Sequence, residues 1–221
     1  MKRAVDLRLY GVLDPALCRG RDPLQLAAEA ASGGITLLQL RDKTSATRDL
    51  VALARSIRSV LQAHGVPLII NDRVDVALAA AADGVHVGLS DMAPEDARGL
   101  LGPDAILGIT VHRGHEAAAV RPGIADYAGL GPVYRTASKD PGDPPLGPHG
   151  LARLIGEVHE HHRGLPVCGI AGIDASSAPA VIMAGSDGVA VISDIFRADE
   201  VTAATQLLRD VVDQALAKRR T

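Results

Sequence analysis

Two aspartates each follow a short apolar run: Asp72 closes Ile69-Ile70-Asn71-Asp72, and Asp91 comes shortly after Val85-His86-Val87. Hard oxygen ligands from neighbouring segments suit Mg²⁺, which takes one or two carboxylates and completes its shell with water and substrate phosphates. Each aspartate also stands just ahead of a helical stretch, where it would serve equally as an N-cap. Arg41 and Lys43 follow the run Leu37-Leu38-Gln39-Leu40, and Lys139 follows the loop after Tyr127-Ala128-Gly129-Leu130. One guanidinium fork and two ammonium groups would hold a diphosphate; taken singly, such residues read as solvated loop charge. Ala171-Gly172 and Ile192-Ser193 follow two further apolar runs, where backbone N–H groups can bind phosphate. The plainer reading there is a turn glycine with Asp174 as a cap.

Other polar clusters point to less. His159-Glu160-His161-His162 ends a helical stretch and reads as a solvated end, because zinc needs three or four convergent ligands. His112 and His115 lack companion ligands. Cys168 lies in an apolar run and reads as core. No Gly-x-Ser-x-Gly elbow and no Walker loop occurs.

The elements that must position these residues alternate. Apolar runs near 7–12, 35–40, 67–70, 85–87, 106–109, 127–130, 167–170 and 189–192 predict eight strands. Helical stretches are predicted near 23–32, 47–63, 74–81, 94–101, 114–120, 149–162, 175–184 and 199–218. The strands are continuous apolar runs, as in parallel sheets covered on both faces. Glycines at 33–34, 65, 84, 164 and 188 precede strands and read as helix C-caps. Eight such units fit a (β/α)₈ barrel filling residues 1–221 as one domain; a doubly wound sheet is the rival. An internal echo favours the barrel: Ala82-Asp83-Gly84-Val85-His86-Val87 resembles Ser186-Asp187-Gly188-Val189-Ala190-Val191, as a duplicated half-barrel would. In a barrel the chemistry sits at the C-terminal strand ends, where Asp72, Asp91 and the cations all fall.

Composition narrows the partners. One Phe, three Tyr and no Trp leave no row of stacking rings for single-stranded nucleic acid. A net charge of −3 supplies no basic field for DNA or an anionic membrane. No apolar run approaches a membrane span, Asp6 and Arg8 interrupt any signal-peptide core, and two cysteines make no disulfide framework. The expectation is a compact cytoplasmic protein with a small-molecule or protein partner, with homo-oligomerisation left open.

The segments LLQLRDK, IINDRVDVALAAAADGVHVGLSDM, ILGIT, ADYAGLGPVYRTASK, PPLG, PVCGIAGI and SDGVAVIS, in this order and spacing, make the chain resemble the thiamine phosphate synthase family over nearly its whole length. That resemblance implies a (β/α)₈ barrel and a reaction. Hydroxymethylpyrimidine diphosphate loses diphosphate with help from Mg²⁺, and a hydroxyethylthiazole phosphate captures the resulting cation to give thiamine phosphate. It also implies roles. Asp72 and Asp91 would hold Mg²⁺. Arg41, Lys43, Asn71 and Lys139 would bind the diphosphate. Gln39 and Thr110 would lie near the pyrimidine. Thr136 and Ser138 would reach the thiazole phosphate or the diphosphate. Backbone groups of Ala171, Gly172, Ile192 and Ser193 would hold the thiazole's phosphate. Three departures stand out: Ala171 replaces the first glycine of a Gly-Gly-Ile, Ser138 replaces a threonine, and Leu89-Ser90 replaces Gln-Glu. Two alternatives remain. One is a thiazole tautomerase on the same barrel, disfavoured because Gly131-Pro132-Val133-Tyr134 stands where that family carries Gly-His-Val-Phe. The other is a non-catalytic phosphate-binding regulator, disfavoured because unneeded charges at a barrel mouth would be costly.

Overall fold

The computed structural model describes residues 5–88, 90–136 and 144–220. Eight parallel strands close into a barrel in chain order: β1 (Leu9–Leu13), β2 (Leu37–Leu40), β3 (Leu68–Asn71), β4 (Gly84–Val87), β5 (Ile106–Val111), β6 (Tyr127–Leu130), β7 (Val167–Ile170) and β8 (Gly188–Val191). Closure comes from β8 pairing with β1, where Tyr10 faces Ala190. The doubly wound alternative is thereby excluded.

Helices α1 (Pro23–Gly33), α2 (Thr47–Gln62), α3 (Val74–Ala80), α4 (Pro94–Leu101), α5 (Gly147–His161), α6 (Ala178–Met183), α7 (Ser193–Phe196) and α8 (Val201–Arg220) surround the barrel. In α2 the buried residues are Leu50, Ala54, Ile57 and Leu61, a stripe at helical spacing laid against the strands. In α1, Asp22 caps the first turn, Pro23 fits the N1 position, and Gly34 ends the helix in the left-handed region.

Two elements depart from the sequence expectation. The stretch predicted as a helix near 114–120 is a 3₁₀ helix, Gly114–Ala119. Pro122 follows at once; it lacks an N–H and biases Arg121 away from helix, so there is no room for α turns to propagate. The short α7 was not expected. Its end is tied down by Arg21, which donates to the carbonyls of Phe196 and Ala198.

The strands present two apolar faces. Outward residues such as Leu9, Leu38, Ile70, Val85, Leu107 and Ile109 join one large core with the helices. Inward residues, among them Tyr10, Leu37, Ile69, Tyr127, Cys168 and Ala190, form a second, smaller core inside the barrel. Cys168 is fully buried there, and burial pushes its thiol pKa up to about 12, so it is inert as expected.

At the strand entrances one device recurs around the barrel. Just before β2, β4, β6 and β8, a side-chain oxygen accepts a backbone N–H at the start of the strand before it. Thr36 takes Leu9 N at 3.1 Å, Asp83 takes Leu68 N at 2.8 Å, Asp126 takes Leu107 N at 2.8 Å, and Asp187 takes Val167 N at 3.0 Å. Each staple satisfies a donor that would otherwise be left at a buried strand end. The echo between 82–87 and 186–191 is thus part of a fourfold pattern. It also corrects the reading of Gly84 and Gly188 as helix caps. Each opens a strand, and a Cβ there would meet the neighbouring backbone, at 2.0 Å from Ile106 O and 1.7 Å from Leu7 O. The turn after α3 has no glycine at all; Ala81 takes the left-handed position at φ 54.

Candidate active site

A cavity of about 470 Å³ opens at the C-terminal ends of the strands. Its lining brings together nine of the expected residues: Gln39, Arg41, Asn71, Thr110, Thr136, Ala171, Gly172, Ile192 and Ser193. They come from six of the loops and strand ends and converge only because the barrel closes. Ser138 and Lys139 lie outside the described residues.

Asp72, Asp91 and Lys43 stand at the rim beside this cavity rather than in its wall. Neither aspartate caps a helix: the N-cap positions of α3 and α4 are Arg73 and Ala93, with no side-chain cap bond at either. Asp72 instead adopts the left-handed backbone at φ 60, a conformation that aspartate tolerates better than most residues. Its carboxylate lies within hydrogen-bonding reach of Asp91 and pairs with Lys43. Asp91 curls back onto Gly88 N at 2.8 Å. Burial, and next the neighbouring Asp72 carboxylate, raise the pKa of Asp91. Two carboxylates held together at a partly desolvated rim are only partly offset, by Lys43 on Asp72 and by the Gly88 N–H on Asp91. The donor set therefore fits a hard divalent cation such as Mg²⁺, which two carboxylates and substrate oxygens can hold. Among the described residues there is no cluster of three or more His, Cys, Asp or Glu that could hold a metal.

The cations are braced by carboxylates. Arg41 pairs with Asp14, which is almost fully buried, and this pins the guanidinium at the mouth. Asp14 was not singled out in the sequence, where it looks like the cap of the short 3₁₀ turn Pro15–Leu17; its other oxygen does make that cap bond, to Ala16 N at 3.1 Å.

Across the cavity, Ala171 and Gly172 both have positive φ, 73° and 67°. Two such residues in succession make a tight turn at the cavity wall, where the Ala171 carbonyl accepts from Tyr134 N at 3.1 Å. Gly172 is required, since a Cβ would fall 2.4 Å from Arg135 O. Ala171 adopts a conformation that favours glycine, at a cost of about 1 kcal/mol. The facing Asp194 has a raised pKa, from burial and then from Asp174.

Three residues that the sequence did not assign lie at the base of the cavity: Tyr10 and His86 line it, and Tyr127 is buried beneath them. Tyr10, Tyr127 and His86 link Gln39 to Thr110 through hydrogen bonds. The period-2 alternation along β1, β2, β4 and β5 carries the signal, since Tyr10, Gln39, His86 and Thr110 all share the inward face. His112 does not line the cavity; its Nδ1 lies 2.6 Å from Gly131 O.

The chain matches known proteins over nearly its whole length. A family profile described as thiamine monophosphate synthase matches residues 9–195. The chain belongs to that family. A thiamine-phosphate synthase of Agrobacterium fabrum is 47% identical over 97% of this chain and 98% of its own length. One of Azorhizobium caulinodans is 42% identical over 96% and 98%. Among solved structures, a thiamine phosphate pyrophosphorylase from Pyrococcus furiosus superposes with a TM-score of 0.84 at 33% identity, covering 96% of this chain and 98% of that one. Among the described residues no helix is long and apolar enough to cross a membrane.

Proposed function

We propose that the protein is a thiamine phosphate synthase and that the whole chain is one catalytic barrel. It would join hydroxymethylpyrimidine diphosphate to hydroxyethylthiazole phosphate, releasing diphosphate. The observation that carries this reading is the similarity over nearly the full chain to relatives named for that activity. The paired carboxylates beside a cationic mouth support it.

In this reading Asp72 and Asp91 hold Mg²⁺, which when bound would offset charge on the diphosphate. Arg41, Lys43 and Lys139 bind the diphosphate oxygens, with Asn71 beside them. The pyrimidinylmethyl C–O bond breaks and its electron pair leaves with the diphosphate, whose growing negative charge these cations stabilise. The thiazole nitrogen then donates its lone pair to the methylene carbon, closing the C–N bond. No proton is transferred, so the site needs no strong general base. Gln39 and Thr110 orient the pyrimidine. Thr136 and Ser138 contact the thiazole phosphate or the diphosphate. Backbone groups of Ala171, Gly172, Ile192 and Ser193 hold the thiazole's phosphate, so that the two reactants meet in line. The enzyme would act in the cytoplasm.

The test is to give the purified protein both heterocycles with and without Mg²⁺ and follow diphosphate and thiamine phosphate. Release of both, dependent on Mg²⁺ and on the thiazole, is expected. Absence of Mg²⁺-dependent release overturns the proposal. Isomerisation of a thiazole phosphate carboxylate without diphosphate release would favour the tautomerase instead.

A further inference from the structure

Inside the barrel, Gln39 Nε2 donates to Tyr10 Oη. The Tyr10 and Tyr127 hydroxyls lie 2.7 Å apart, Tyr127 Oη lies 2.9 Å from His86 Nδ1, and His86 Nε2 lies 2.7 Å from Thr110 Oγ1. Tyr10 and Tyr127 are 1% and 0% exposed, with their rings edge to face at 5.7 Å. The run also depends on a gap in β5: a Cβ on Gly108 would sit 2.1 Å from Tyr127 Cζ and 2.5 Å from His86 Nδ1. Both ends of the run, Gln39 and Thr110, face the cavity.

Counting protons gives this run a direction. Each tyrosine has one proton and two oxygen or nitrogen neighbours, and a neutral imidazole has one proton for two. Because Gln39 donates to Tyr10, the Tyr10 proton goes to Tyr127. The Tyr127 proton then goes to His86 Nδ1, and the His86 proton sits on Nε2 facing Thr110. Thr110 accepts it, which leaves the threonine's own proton to point into the cavity. Reversing any one link strands a buried proton or a buried lone pair, unless the whole run and the Gln39 amide reverse together.

We propose that Tyr10, Tyr127 and His86 are positioning residues that set the cavity floor as one acceptor, Gln39 Oε1, and one donor, the Thr110 hydroxyl, and that this pair selects heterocycles carrying a donor and an acceptor together, as an aminopyrimidine does. The choice of pyrimidine rests on the proposed function; the direction of the run does not. A heterocycle that offers acceptors at both positions sets a lone pair against Gln39 Oε1, a mismatch that the linked run keeps the amide from relieving by turning over.

Tyr127→Phe removes the central hydroxyl and keeps the ring, so Gln39 and Thr110 can then turn separately. Dissociation constants for the aminopyrimidine methyl diphosphate and its 4-methoxy counterpart, measured by calorimetry without the thiazole substrate, give a preference ratio. The ratio is expected to fall about 10-fold in Tyr127→Phe, the scale of one unmatched buried hydrogen bond. Tyr10→Phe cuts the next link and serves as a second variant. Equal weakening of both ligands, with an unchanged ratio in the folded variants, makes the run merely structural and overturns the proposal while leaving the proposed function standing. Binding of neither pyrimidine by the wild-type protein overturns the selectivity together with the proposed function. Independently of any ligand, ¹⁵N spectra of His86 in the wild-type protein are expected to show a neutral ring protonated on Nε2. A proton on Nδ1, or on both nitrogens, overturns the direction.

Discussion

The two ends of the barrel use the same residue type in opposite ways. At the strand entrances, Asp83, Asp126 and Asp187 each accept a backbone N–H, and Asp126 also pairs with Arg98 at 2.7 Å. At the strand exits, Asp72 and Asp91 face each other, and the pKa of Asp91 is raised. The entrance carboxylates are satisfied by the fold itself. The exit carboxylates repel one another, and the Lys43 pair on Asp72 offsets only part of that cost. The contrast locates function more sharply than charge or exposure alone, because perturbed like-charged pairs cluster at functional sites.

This contrast can be broken from either end. Asp72→Ala should lower turnover by about 10³-fold, as expected for losing one charge-stabilising group, with the protein still folded: it relieves the repulsion with Asp91 but loses the Lys43 pair at a left-handed position; steady-state assays and thermal melts check both. If activity survives, the exit pair is not the metal and diphosphate machinery. The entrance substitution Asp126→Ala should do the reverse. It leaves Leu107 N and the Arg98 guanidinium short of a partner and should cost about 3 kcal/mol in urea unfolding, with the rate per folded molecule unchanged.

Two smaller effects sharpen the comparison. Asp91→Asn should raise stability by up to about 1 kcal/mol without metal while abolishing turnover. A raised carboxyl pKa means that the ionised form is penalised in the folded state. The penalty is full above the folded-state value and vanishes once pH falls below the unfolded value of about 3.9. The advantage of Asn over Asp in melts should therefore shrink as pH is lowered. Ala171→Gly relieves the positive φ and should stabilise by about 0.5 kcal/mol, the left-handed cost less the added chain entropy, and chemical unfolding would show it.

The eight units were legible in the sequence because continuous apolar runs gave strand count and spacing; closure itself came from the pairing of β8 with β1. The mouth was legible because Gln39, Arg41, Asn71, Asp72 and Asp91 lie at strand ends or within a few residues of them. What could not be read was side-chain pairing across the barrel. His86 could have pointed to either face until the register of β4 was fixed against β5, where His86 lies opposite Gly108. Asp14 hid behind its local capping role. Gly84 and Gly188 looked like helix ends, because the neighbouring backbone that forbids a side chain there is distant in sequence.

The staples at Thr36, Asp83, Asp126 and Asp187 join each odd strand to the even strand that follows it. The barrel thus carries four stapled pairs of parallel strands, joined to one another through the same parallel pairing. A nick at the exposed Pro103-Asp104 turn, between the second and third pairs, severs no staple. Two half-chains made separately from that point would each keep their own staples and could find one another in solution, whereas a cut inside a pair would leave a strand end without its anchor.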